Sequence, residues 1–112
     1  MNNINPSFHT DPSPTKVLEK LGEIETEMKQ IGMWRSEPLS PEQYQFHQAF
    51  AMDTMTFSQW LQFIFIPKVK EATKASQFPI KSQVGAQAVR EFDAFPSADR
   101  LITLLSEFDA LF

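Results

Sequence analysis

The chain has no cysteine, only three glycines and only two histidines among its 112 residues. The first absence excludes disulfides, thiol nucleophiles and cysteine metal sites, and leaves the cellular compartment open. Three glycines build no phosphate-cradling loop, and no serine stands at nucleophile-elbow spacing, so nucleotide phosphate binding and acyl transfer both lack their geometry. His9 and His47 are far apart, with no Asp or Glu at helical ligand spacing beside either, which disfavours a metal site. There is no basic excess: ten Lys and Arg face fourteen Asp and Glu, for a net charge of -4. That balance works against non-specific attraction to phosphate backbones or anionic lipid. The longest apolar run, Phe63 to Ile66, is far short of the ~20 residues that span a bilayer. The opening MNNINPSFHTDPSP has no basic residue followed by an apolar stretch, so it does not read as a secretion signal. The expectation is a soluble cytoplasmic protein, not an enzyme, with no cofactor.

What is present is helical periodicity. A chain of this size with 42% hydrophobic residues holds one domain and one core. It buries roughly two thirds of its unfolded surface and so folds alone, as a monomer or weak dimer. Residues 1–12 are polar and proline-containing and are expected to form a disordered arm, leaving 13–112 as the domain. From Ser13, as cap, and Pro14 in the first turn, the residues Val17, Leu18, Leu21, Ile24, Met28 and Ile31 recur at helical spacing, and Gly32 ends the helix in a left-handed conformation.

The stretch from Met33 to Thr56 is irregular, and Ser40-Pro41-Glu42-Gln43 reads as a brief capped turn. So long a connection needs anchors, which Trp34, Leu39, Tyr44, Phe46, Phe50 and Met52 are expected to supply. Thr56-Phe57-Ser58-Gln59 fits a capping box that starts a second helix. That helix is apolar nearly all round at Phe57, Trp60, Leu61, Phe63, Ile64, Phe65 and Ile66, is expected to kink or break at Pro67, and continues to about Ala75. After a turn at Ser76 to Pro79, a third helix is expected from about Ser82 to Phe95, with Val84, Ala88, Val89, Phe92 and Phe95 inward. Pro96-Ser97, with Ser97 as cap and Asp99 in the first turn, opens a fourth whose apolar face runs from Leu101 to Phe112. The fold class is all-α: a four-helix bundle with a long ordered connection between helices one and two.

Two clusters bear on binding. Trp34, Arg35, Glu37, Asp53, Thr54, Trp60 and Gln62 are candidates for a shared groove, in which Arg pairs a partner's carboxylate and an aromatic side chain anchors it. The competing reading is structural: Asp53 and Thr54 satisfy amides of the elbow, and Arg35 pairs with Asp53 or Glu37 to pin the connection. Lys68, Lys70 and Lys74, with Lys81 beyond, form a locally basic segment near Trp60 that suits RNA through charge and stacking. Against this, Glu71 interrupts the run, and lysines near a helix C-terminus are favoured by the dipole, so a solvated helix end is the commoner explanation.

The residues Trp34-Arg35, Pro38, Phe50-Ala51-Met52-Asp53-Thr54-Met55, Phe57, Trp60-Leu61-Gln62-Phe63, Ile66-Pro67-Lys68 and the ending Phe108-Asp109-Ala110-Leu111-Phe112 resemble the YqcC-like family of small bacterial proteins over nearly everything after the first dozen residues. The resemblance implies an all-helical bundle without an established activity. It also implies a link to a tRNA pseudouridine synthase, the type called C, beside which such proteins are often encoded. Synthases of that type carry a catalytic aspartate in a G-R-L-D-like loop of a larger mixed-sheet domain, whereas this chain has Asp99-Arg100-Leu101 with no preceding glycine. The expected role is therefore a non-catalytic protein-interaction module with an unknown protein partner, the synthase among the candidates; the alternative is an accessory protein that binds tRNA or the synthase.

Overall fold

A computed structural model describes residues 13–78 and 81–112. Among these there are four helices and no strand. The expected N-terminal arm, His9 and the turn residue Pro79 lie outside the described residues.

Helix α1 runs Pro14–Gln30 and buries Val17, Leu21, Ile24 and Met28 on one face. Ser13 precedes it with extended backbone, but its side chain makes no capping bond, contrary to expectation. Leu18 belongs to the outer flank and is 45% exposed. Gly32 ends the helix at φ 77, with the Met33 amide donating to the Met28 carbonyl at 2.8 Å and the Gly32 amide to Lys29 at 3.3 Å. This 6→1 and 5→2 pair is the termination a left-handed residue permits.

Helix α2 is continuous in three parts: an α-helical start Phe57–Trp60, a π-helical turn Leu61–Phe65 and an α-helical remainder Ile66–Ala75. Its start is the expected capping box: the Gln59 amide donates to Thr56 Oγ1 at 3.2 Å, and the Thr56 amide donates to Gln59 Oε1 at 3.0 Å. Pro67 does not break the helix. In a regular α-helix its ring would press on the carbonyl four residues earlier, and the wider turn just before it takes up that conflict. Ser76, at φ 51, ends α2 in the left-handed conformation.

Helix α3 is shorter than expected, Val84–Glu91, so Phe95 (50% exposed) lies beyond it and outside the core; Val89, expected inward, is within the helix but on its outer face at 53%. A 3₁₀ turn at Pro96–Ala98 leads into α4, Asp99–Asp109, so Ser97 lies inside that turn and is not the cap. Helix α4 packs against both α1 and α3. Its Leu101, Leu104, Leu105 and Phe108 meet α1, Phe57, Leu61, Phe65 and Ile66 of α2, and Val84, Ala88 and Phe92 in one buried cluster.

Two contacts set the approach of α3 to α4. Gly85 is buried, and a Cβ there would stand 2.6 Å from the Ser106 Cα. The Asp109 carboxylate accepts the Val84 amide at 3.0 Å, the Gly85 amide at 2.8 Å and the Ser82 hydroxyl at 2.6 Å. The orphan amides at the start of α3 are thus satisfied from the end of α4.

Candidate groove at the elbow

The connection between α1 and α2 is held by its own polar groups. Ser40 and Gln43 form a capping box over the 3₁₀ turn Pro41–Tyr44. The Thr54 hydroxyl donates to the Gln43 carbonyl at 2.6 Å, and Gln43 Nε2 returns a bond to the Thr54 carbonyl at 3.2 Å. Asp53 accepts the His47 amide at 2.9 Å and the Gln48 amide at 3.4 Å. The His47 bond, foremost among the contacts, holds the Asp53 carboxyl below its usual range. The sharpest bend is at Phe50 and Ala51, which take φ 58 and φ 52 in succession. Two left-handed non-glycine residues cost of order 1–3 kcal/mol each, and persist only where neighbours over-determine them. Here the Phe50 ring lies 4.9 Å from Trp60 and 5.8 Å from Phe57, both edge-on, and Ala51 is fully buried with Leu39 and Met55 in a second small core. Tyr44 and Met52, expected as anchors, are instead about half exposed.

Of the predicted groove residues, Trp34, Arg35 and Gln62 share a cavity of about 220 Å³; Glu37, Asp53, Thr54 and Trp60 are not among its lining residues. Gln62 is buried, and its amide is spent on backbone: it accepts the Arg35 N–H at 3.1 Å and donates to the Arg35 carbonyl at 2.8 Å. Arg35 makes no ion pair with Asp53, Glu37 or any other carboxylate among the described residues. The backbone of Arg35 is therefore fixed while its guanidinium faces solvent. Trp34 is partly buried, with the Lys29 ammonium 5.2 Å from its ring centroid. Trp60 is half-buried and lies roughly parallel to Phe57 and Phe65, at 5.7 and 5.5 Å.

Next to this cavity is a second, of about 420 Å³, lined chiefly by Met33, Met52, Met55, Phe57, Phe92 and Phe95 with Glu91 at its edge. Met33, Thr56 and Ser58 line both, so the two form one groove, cationic at Arg35 and apolar at the Met and Phe end. The apolar half was not read as a site from sequence, because Phe92 and Phe95 were both assigned to the core. The structure separates them: Phe92 stays buried, whereas a helix that stops at Glu91 leaves Phe95 outside. A further cavity, about 730 Å³, is an open trough between α1 and Arg100 of α4, bounded by Glu19, Glu23 and Glu27, with no large apolar side chain in its lining to anchor a ligand.

Lys68, Lys70 and Lys74 are exposed along the second half of α2, and Lys74 stands 3.9 Å from Glu71. No group of three or more His, Cys, Asp or Glu is placed to hold a metal ion among the described residues, and no described helix is long and apolar enough to cross a membrane.

Fold and groove together define a small all-helical bundle in which Gln43, Asp53, Thr54 and Gln62 bond to the backbone of the connection. Residues 16–111 match a family described as tRNA pseudouridine synthase C, and the chain belongs to that family. It is 26% identical over 94 residues to an uncharacterized protein of Haemophilus influenzae, covering 83% of this chain and 89% of that one. It is also 29% identical over 103 residues to the uncharacterized protein YqcC of Escherichia coli, covering 87% and 91%. No solved structure matches it.

Proposed function

We propose that the chain is a non-catalytic interaction module whose groove at the elbow takes a short helical segment of a partner protein. The observation that carries this reading is the union of two cavities through Met33, Thr56 and Ser58, with Met52 and Phe95 about half exposed beside Arg35. Methionine and aromatic side chains adapt to an apolar helix face, while an unpaired Arg selects a carboxylate on the same segment. The family description directs the search for the partner toward a tRNA pseudouridine synthase. Synthase activity is not assigned to the chain itself, because Asp99 is a first-turn residue of an exposed helix start rather than part of an enclosed loop.

The test is co-purification of the tagged protein from its host, with mass spectrometry of bound proteins and sequencing of bound RNA, alongside Met52→Glu and Arg35→Glu variants. The expected result is a specific protein retained by the wild type and lost in both variants at unchanged helicity. Retention by all three, or conversion of tRNA uridine by the purified chain, overturns it. The second reading, direct tRNA binding, draws on the exposed Lys68, Lys70 and Lys74. It predicts salt-dependent tRNA capture that weakens on changing Lys68 and Lys70 and ignores Met52.

A further inference from the structure

A separate cavity lies on the far side of Trp60, between the second half of α2, the start of α3 and the end of α4. Its volume is about 380 Å³, within the range of small-molecule sites. Its walls are aromatic and aliphatic: Trp60, Phe65, Val69, Phe78, Phe108 and Phe112. The rings brace one another, with Phe65 and Phe78 edge-on to Phe108 and Phe112, at 5.0 and 5.8 Å. Phe78, Phe112, Trp60 and Val69 each keep part of their surface accessible, so this apolar wall faces open space.

Two cationic side chains stand at its rim. Lys68 and Lys81 line the cavity and are exposed, while no Asp or Glu side chain among the described residues lines it. Neither lysine is in an ion pair among the described residues, whereas Lys20, Lys29 and Lys74 are. Asp109, which touches the lining residues Ser82 and Val84, is already committed to three donors. In a chain of net charge -4, a cationic rim over an apolar cavity is complementary to one kind of small molecule.

We propose that this cavity binds a single-chain amphiphile with an anionic head, a medium-chain fatty carboxylate, its tail against Phe65, Phe108 and Phe112 and its head at Lys68 and Lys81. This site is distinct from the elbow groove and stands or falls independently of it.

Trp60 lines the cavity and Trp34 does not, so a Trp34→Phe variant makes tryptophan emission a local reporter. Titration of that variant with decanoate, below its micellar concentration, is expected to give a saturable change. Decanol, with the same tail and no charge, is expected to bind at least about tenfold more weakly, the size of one charge-assisted hydrogen bond. The double change Lys68→Ala and Lys81→Ala is expected to erase the preference for decanoate while leaving decanol affinity unchanged, with helicity checked by circular dichroism. Absence of saturable binding, equal affinity for decanol, or a preference that survives loss of both lysines overturns the proposal. Binding to phosphatidylglycerol vesicles without binding to decanoate also overturns it, in favour of a lipid surface.

Discussion

Single residues in this protein are decided by what their neighbours leave room for. Gly85 lies in the first turn of a helix, where glycine weakens helicity by about 1 kcal/mol relative to alanine. Propensity alone therefore favours Gly85→Ala. The structure reverses the sign, because a Cβ would stand 2.6 Å from the Ser106 Cα and 2.7 Å from its amide nitrogen, and backbone does not rotate away. Overpacking of this kind costs about 1–3 kcal/mol, and more where both elements must shift. The variant is expected to be net destabilised by about 1–2 kcal/mol in urea unfolding; a neutral or stabilised Gly85→Ala would mean that α3 and α4 do not approach this closely. The glycine was legible in sequence only as a liability, since nothing in one strand of text shows which backbone faces it. Gln62 illustrates the same limit: a polar residue in an apolar helix looks like a site, and its two bonds to Arg35 make it a clamp across 27 positions.

At the scale of elements, periodicity reported what it physically encodes, which is a face. The spacing of Val17, Leu21, Ile24 and Met28 and the Thr56 to Gln59 box are local, so α1 and the start of α2 were readable. Helix α3 was overextended by several residues because Val89, Phe92 and Phe95 keep helical spacing past the point where the backbone turns, and its N-terminal partner is remote. That partner is Asp109, which receives the Val84 and Gly85 amides and the Ser82 hydroxyl. Asp109→Ala leaves those donors at the start of an eight-residue helix and is expected to cost about 1–2 kcal/mol, in line with the loss of a strong cap. Asp109→Asn keeps one carbonyl oxygen and is expected to cost less. Denaturant midpoints of the three proteins check the order; an alanine variant as stable as the wild type would show that water replaces the carboxylate at no loss. The candidate groove was half legible for a related reason. Trp34, Arg35 and Gln62 were grouped from residue type, while Met33, Met55, Phe92 and Phe95 come together only once the chain has folded back.

For the molecule as a whole, the question is what joins helices that are distant in sequence besides apolar contact. Lys20 of α1 lies 2.9 Å from Glu23 and 2.7 Å from Glu107 of α4, linking the two helices that share the core. The hydrogen bond to Glu107, then that to Glu23, raises the Lys20 pKa, and the same bond is the main cause of the lowered Glu107 pKa. A carboxylate whose pKa falls on folding contributes stability above its ordinary value of 4.5, and loses it as the pH drops through the lowered one. A lysine whose pKa rises contributes below 10.5 and loses that as the pH climbs through the raised value. The link should therefore be constant through neutral pH and fade at both ends. Glu107→Gln is expected to lower Tm modestly at pH 7, with the gap to wild type closing as the pH falls below 4.5, and narrowing with added salt because both partners reach solvent. A gap unchanged from pH 7 into the acid range would mean that Glu107 acts through packing of its stem, and would leave α1 and α4 joined by their apolar faces and the Arg100–Glu27 pair at 3.7 Å.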